Sequence, residues 1–210
     1  MVTHIVSDMG GVLVRIEWQE RVSALLERPI AMEELHRLWV SSKSTLEFET
    51  GQLSFDDFAE AFVQEFDLSL PTDAFKHEFL QIVQGPMAEL ETVLAALKPH
   101  FHLSLLSNTN SAHYEKLQRQ YAFFDHFDEL FLSYQIGCMK PDAQIFQYVL
   151  QKLQVEPSNV AFFDDGSANV EGARRIGIQA FQVDSPVALW QVVQELSERS
   201  TSVLRISEAT

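Results

Sequence analysis

The chain has one cysteine, Cys138, so no internal disulfide can form and the fold must rest on its core. Basic residues are scarce: 15 Lys and Arg face 30 Asp and Glu, for a formal net charge of −15. Such a field repels a phosphate backbone and no local basic patch offsets it, which excludes nucleic acid as an expected partner. Long apolar runs are missing too. No stretch reaches membrane-spanning length, and Met1-Val2-Thr3-His4-Ile5-Val6-Ser7-Asp8 has neither the basic start nor the apolar stretch of a signal peptide. A cytoplasmic protein with no membrane partner is expected, and the sequence carries no signature of a particular oligomeric state. What is present is ample apolar material: 46% of 210 residues are hydrophobic, enough for one well-buried core plus a sizeable insertion.

Five short apolar runs, at 3–7, 101–106, 129–133, 160–163 and 178–183, read as strands and are mostly separated by helical patterns. That alternation predicts an α/β fold, a Rossmann-like doubly wound parallel sheet. The first interval breaks the rhythm. Roughly 85 residues separate the first two strands, far beyond an ordinary crossover, with several helical patterns and no convincing strand. The expected division is a core of 1–14 and 86–210 with a helical cap of 15–85 inserted. Cap helices are expected at 18–28, 31–47, from Ser54, and at 72–84, with breaks at Pro29, Gly51 and Pro71. The Ser54 helix repeats Phe55, Phe58, Ala59, Phe62, Val63 and Phe66 along one face, a packing stripe. In the second half, Ile145, Phe146, Val149, Leu150 and Leu153 mark the buried face of one crossover helix, and Val170, Ala173 and Ile176 that of another. The last ten residues read as a loosely held tail.

Four polar clusters follow apolar, strand-like runs: Asp8-Met9-Gly10-Gly11, Ser107-Asn108-Thr109-Asn110, Lys140-Pro141-Asp142 and Asp164-Asp165. In a parallel sheet they can converge at one edge, where such sheets bind ligands. Together they supply a carboxylate nucleophile, hydroxyl and amide donors, one cation and a pair of metal-binding carboxylates, the parts that phosphoryl transfer requires. Each also has a plain structural use. Asp8 can stabilise a turn, Ser107 and Asn108 can cap a helix, and Lys140 can be a solvated surface lysine. The adjacent Asp164 and Asp165 are the hardest to explain that way, because their mutual repulsion calls for a cation. Mg²⁺ takes one or two carboxylates plus carbonyls and waters, which one of these acids together with Asp8 can supply while the other stands behind.

In this order and spacing the clusters resemble the haloacid dehalogenase superfamily, specifically members with a helical cap after the first strand. The resembling segments are Asp8-Met9-Gly10-Gly11-Val12-Leu13, Leu106-Ser107-Asn108, Lys140-Pro141 and Phe163-Asp164-Asp165-Gly166-Ser167-Ala168-Asn169. The resemblance implies a Mg²⁺-dependent phosphatase in which Asp8 becomes an aspartyl phosphate. By the same resemblance Ser107 and Lys140 hold phosphoryl oxygens and Asn108 assists binding. Asp165 ligates Mg²⁺ with Asp8 and the carbonyl of Gly10. Asp164 supports the metal site or Lys140, and Asn169 stands where relatives often place a supporting acid.

The chain departs from the pattern at Gly10, where phosphatases of this superfamily usually carry a second acid that protonates the leaving oxygen. General acid help, worth about 10²–10⁴-fold, must then come from elsewhere or be lost. A similar Asp-x-Gly pattern appears in a branch resembling sugar-1-phosphate phosphatases, including those acting on α-D-glucose 1-phosphate, whose anomeric leaving group is comparatively good. The expected substrate is a small phosphorylated metabolite such as a sugar phosphate. Two alternatives stand beside it: a 2-haloacid dehalogenase, whose halide needs no proton, and a weakened phosphate-binding regulatory protein. The cap residues Trp18, Lys43 and Glu49 are expected to be packing or surface groups.

Overall fold

The computed structural model describes residues 1–26 and 28–207, with side chains up to Glu198. Strand β1 (His4–Ser7) leads into a short strand β2 (Val14–Ile16) and then helices α1 (Trp18–Leu25), α2 (Met32–Ser41), α3 (Lys43–Glu49), α4 (Phe55–Glu65) and α5 (Thr72–Leu80). The chain returns through β3 (Val83–Pro86) to α6 (Leu90–Leu97), β4 (His102–Ser107) and α7 (Ser111–Gln120). After these come β5 (Glu129–Leu132), α8 (Ser133–Ile136), α9 (Ala143–Leu153), β6 (Val160–Asp164), α10 (Ser167–Arg175), β7 (Gln179–Gln182) and α11 (Pro186–Ser207).

Five strands form one parallel sheet in the order β5-β4-β1-β6-β7. They are the five expected from the sequence, and the doubly wound α/β class is confirmed. Both faces are covered, so apolar residues dominate the central strands, and alternate residues feed opposite cores. Ile5, Ala161 and Phe163 pack with Leu90, Leu94 and Leu117 on one side. Val6, Val160 and Phe162 pack with Ile145, Phe146, Val149, Val170 and Ala173 on the other. From β1 the chain first builds outward through β4 and β5, then returns to build through β6 and β7. The direction therefore switches beside β1, and the crevice at such a point is where these sheets take ligands.

Helices α1 to α5 enclose a separate core of Val22, Leu25, Leu35, Phe48, Phe58, Phe62, Phe75, Phe79 and neighbours. Phe58 lies at the centre of its rings, with centroids 4.3 Å from Phe48 and 4.9 Å from Phe79. The stripe expected on α4 is the one that packs inward, and Ser54 caps it, its Oγ accepting from Asp57 N–H at 3.1 Å.

The structure corrects three details. The helix expected at 31–47 is two helices, because Ser42 is extended and caps α3, while Glu65 of α4 accepts from the N–H groups of Lys43 and Ser44 at 3.0 Å each. The helix expected to 84 stops at Leu80, and β3 follows. Strands β2 and β3 form an antiparallel ribbon where no strand was expected; each has only three or four residues, too short for alternation to show. The ribbon is the root of the helical insertion. It is reinforced from α7 by Lys116, whose Nζ donates to the carbonyls of Leu80 and Val83 at 2.6 and 2.8 Å. Backbone continues helically through 207 within the expected tail, and its remainder, 208–210, lies outside the described residues.

Candidate active site

Asp8 emerges directly from β1, its N–H donating to Phe163 O of β6 at 2.8 Å. The chain then turns tightly: Leu13 and Val14 donate to Met9 O, and Gly11 donates to Val14 O. None of these three bonds falls on the Gly10 carbonyl. Gly11 has φ +75°, and a Cβ there would stand 2.2 Å from Asp165 Oδ2, so glycine is what lets the Asp165 carboxylate close over this loop.

Lys140 joins the clusters. Its Nζ lies 2.8 Å from Asp8 Oδ1 and 2.6 Å from Asp164 Oδ2, and it donates to Leu106 O at 2.9 Å, so three acceptors match its three N–H bonds. Burial works against the ammonium, but Asp164 and Asp8 hold its pKa above the ordinary lysine value. Asn108 fixes this segment: its amide donates to Lys140 O and accepts from Lys140 N–H, both at 2.8 Å. The amide expected to help bind substrate is thus engaged with the lysine's own backbone.

Asp164 is fully buried and saturated. Besides Lys140 it accepts from Gly166 N–H at 2.8 Å and Asn169 Nδ2 at 2.9 Å, so Asn169 acts on Asp164. Ser107 ends β4 with a hydroxyl whose contact to Asn108 O, at 3.4 Å, is too long to hold it firmly. Helix α7 is capped three residues after Ser107 by Asn110, which leaves Ser107 and Asn108 outside that role.

Carboxylate oxygens from Asp8, Asp164 and Asp165 all lie within 4.8 Å of one another. Burial raises the pKa of Asp8 to about 7, Lys140 opposes this, and Asp164 and Asp165 add to it. Burial and then Asp164 push Asp165 up as well, against Lys140. Two buried carboxylates, Asp8 and Asp164, around one ammonium, with the exposed Asp165 beside them, leave an excess of negative charge, which a divalent cation would offset. With Asp164 committed to its donors, Asp8 and Asp165 are the acids available to a metal, and the chemistry of the set fits a hard, oxygen-liganded ion.

Lys140 and the Met9-Gly10 turn after Asp8 open onto a cavity of about 480 Å³. Gly10, Ser107, Asn108 and Lys140 line it from the core side, and Trp18, His36, Trp39, Val40 and Glu49 from helices α1 to α3. Trp18 and Glu49, read from sequence as packing or surface groups, face this space, and Trp39 and His36 were not singled out at all. No single spacing links the four, because Trp18 stands on α1, His36 and Trp39 three residues apart on α2, and Glu49 on α3. Lys43 does point to solvent, its side chain 83% exposed and 3.5 Å from Glu47.

Residues 2–177 match the haloacid dehalogenase-like hydrolase family. The chain is 29% identical over 197 residues to a D-ribitol-5-phosphate phosphatase of Bacteroides thetaiotaomicron, covering 88% of this chain and 93% of that protein. Among solved structures, it is similar to a haloacid dehalogenase family enzyme of Bacteroides thetaiotaomicron in complex with magnesium and inorganic phosphate. That similarity has a TM-score of 0.74 at 21% identity, over 87% of this chain and 94% of the other. A HAD-like family hydrolase of Porphyromonas gingivalis gives a TM-score of 0.71 at 25% identity, over 88% and 92% of the two chains. The chain belongs to the haloacid dehalogenase-like hydrolase family.

Proposed function

We propose that this protein is a Mg²⁺-dependent phosphatase of small phosphorylated metabolites, with Asp8 as nucleophile. The observation that carries the reading is the Lys140 ammonium bridging Asp8 and Asp164, 2.8 and 2.6 Å away, beside a ligand-sized cavity that Lys140 lines. The similarity to a sugar-alcohol phosphatase supports the same class.

In this reading an Asp8 oxygen attacks phosphorus, the bond to the leaving oxygen breaks, and an aspartyl phosphate forms. Water then attacks that phosphorus, releasing inorganic phosphate and restoring the carboxylate. Lys140 orients Asp8 and places positive charge beside the phosphoryl group, while Ser107 donates to one of its oxygens. Asn108 is a positioning residue acting through Lys140, and Asp164 and Asn169 support the cluster from behind. Asp8, Asp165 and the Gly10 carbonyl would hold the metal. When bound there, Mg²⁺ neutralises phosphoryl charge that the acidic cluster would otherwise repel. Segment 15–85 acts as a cap over a core made of 1–14 and 86–210.

Because Gly10 offers no acid, anomeric, aryl and acyl phosphates should be turned over faster than simple alkyl monoesters. A screen of phosphorylated metabolites with and without Mg²⁺ tests the whole reading. Mg²⁺-dependent phosphate release that falls as leaving-group basicity rises supports it. Release of chloride from 2-chloropropionate without Mg²⁺ would replace it with a dehalogenase.

A further inference from the structure

The side of the cavity lined by helices α1 to α3 holds a polar group that the phosphoryl chemistry does not use. Glu49, on α3, lines the cavity yet is only 7% exposed. Its Oε1 accepts from the indole N–H of Trp39 at 3.1 Å. A carboxyl group has two oxygens and about four acceptor positions, and buried polar groups are ordinarily satisfied more fully than this. Charge gives it no compensation either, since burial lifts its pKa to about 7, opposed only by the Trp39 bond.

Trp39 is itself held from three sides. It lies parallel to Phe79 with centroids 6.3 Å apart and an interplanar angle of 9°. Trp18 meets it edge-on at 5.6 Å, and Glu49 takes its N–H. The result is a fixed aromatic wall with an acceptor-rich carboxyl at its edge, sharing one cavity with Lys140 and Ser107. An aryl or terpenoid leaving group would satisfy the wall and strand the carboxyl. A polyhydroxylated carbon skeleton satisfies both, because its C–H face packs on indole while its hydroxyls donate to the carboxyl.

We infer that Glu49 and Trp39 form the leaving-group subsite and select a phosphorylated sugar or polyol through hydroxyl groups remote from phosphorus. This rests on the phosphatase reading above and assigns its specificity to two residues of the helical insertion. The leaving group sits with its hydroxylated edge toward α3. Glu49 is a specificity residue and stands apart from the reacting atoms.

The test compares kcat/KM for a sugar phosphate with that for phenyl phosphate, in wild type and in Glu49→Gln, at saturating Mg²⁺. Wild type should bind the sugar phosphate with a lower KM than phenyl phosphate, whatever their kcat values. In Glu49→Gln the ratio should fall about 10- to 100-fold, mainly through KM of the sugar phosphate, as expected when hydrogen bonds to a carboxyl are lost. If Glu49→Gln does not fold, the same ratio is read in Trp39→Phe, where loss of the indole N–H should lower it in the same direction. An unchanged ratio in the folded variant, or a wild-type KM for the sugar phosphate no lower than that for phenyl phosphate, would overturn the assignment while leaving the phosphatase intact. Absence of Mg²⁺-dependent hydrolysis of either ester would instead remove the phosphatase reading, and this subsite with it.

Discussion

At the scale of single residues, two adjacent glycines have different reasons for being glycine. At Gly11 a side chain would be strained, because φ is positive and a Cβ would stand 2.2 Å from Asp165 Oδ2. Gly10 can: a Cβ there would meet only Ile16 side-chain atoms, at 3.5 and 3.7 Å, which is ordinary contact. Room for a Cβ is therefore not what keeps this position glycine. Gly10→Asp should raise turnover of alkyl phosphates by up to about 10²-fold while changing aryl phosphates little, measured as the slope of log kcat against leaving-group pKa. Glu49 gives a second residue-level expectation. Its folded pKa of about 7 lies above the ordinary 4.5, so folding favours the protonated form. The stability it contributes is full below pH 4.5 and is lost as pH rises through 7. Glu49→Gln should accordingly be more stable than wild type at pH 8, by on the order of 3 kcal/mol, with the difference vanishing near pH 4 in urea titrations. His113 acts at the other end of the scale. Burial lowers its pKa to about 4, so the unfolded chain is protonated first and stability falls as pH drops from 6.5.

At the scale of elements, legibility followed burial. β1, β4 and β6 are covered on both faces, so each reads as a mainly apolar run, broken inside β4 only by Ser104, and the polar residues at their ends read as one cluster. Asp8, Ser107 and Asp164 were visible for that reason, whereas Lys140 does not follow a strand directly as expected but lies in the loop between α8 and α9. Asn108 shows the limit: its type and place suggested a ligand contact, whereas its amide clamps the Lys140 peptide, and no spacing distinguishes the two uses. The α2–α3 break was hidden for a related reason, since its cause lies over twenty residues downstream. Burial works to raise the Glu65 carboxyl, but Ser44 and the N–H groups of Ser44 and Lys43 hold it below its ordinary pKa, with Ser42 adding a further bond. Glu65 thus serves as a cap supplied by a neighbouring helix. Glu65→Ala should cost about 1–2 kcal/mol, read as a lowered urea midpoint, and should displace α3 enough to weaken Glu49-dependent selectivity. The aromatic wall shares this non-local origin, because α1, α2 and α3 each contribute one part of it.

At the scale of the whole molecule, the net charge of −15 sets the terms on which an anion can enter. Added salt screens this field, so KM for a phosphorylated substrate should fall as ionic strength rises, the reverse of the behaviour of a basic phosphate-binding protein. An increase in KM with salt would mean that local cations outweigh the global field. The same charge balance explains why the site needs more than Lys140, whose positive charge is already shared between Asp8 and Asp164. Among the described residues, no helix is long and apolar enough to cross a membrane. The one measurement that bears most directly on this assignment is acid quenching during turnover of a phosphate ester with Mg²⁺, followed by mass mapping of the peptides. A phosphoryl group on Asp8 that is absent from Asp8→Asn, together with loss of steady-state hydrolysis in that variant, is the expected result. Sustained hydrolysis by Asp8→Asn, or turnover with phosphate carried at another residue, would contradict it.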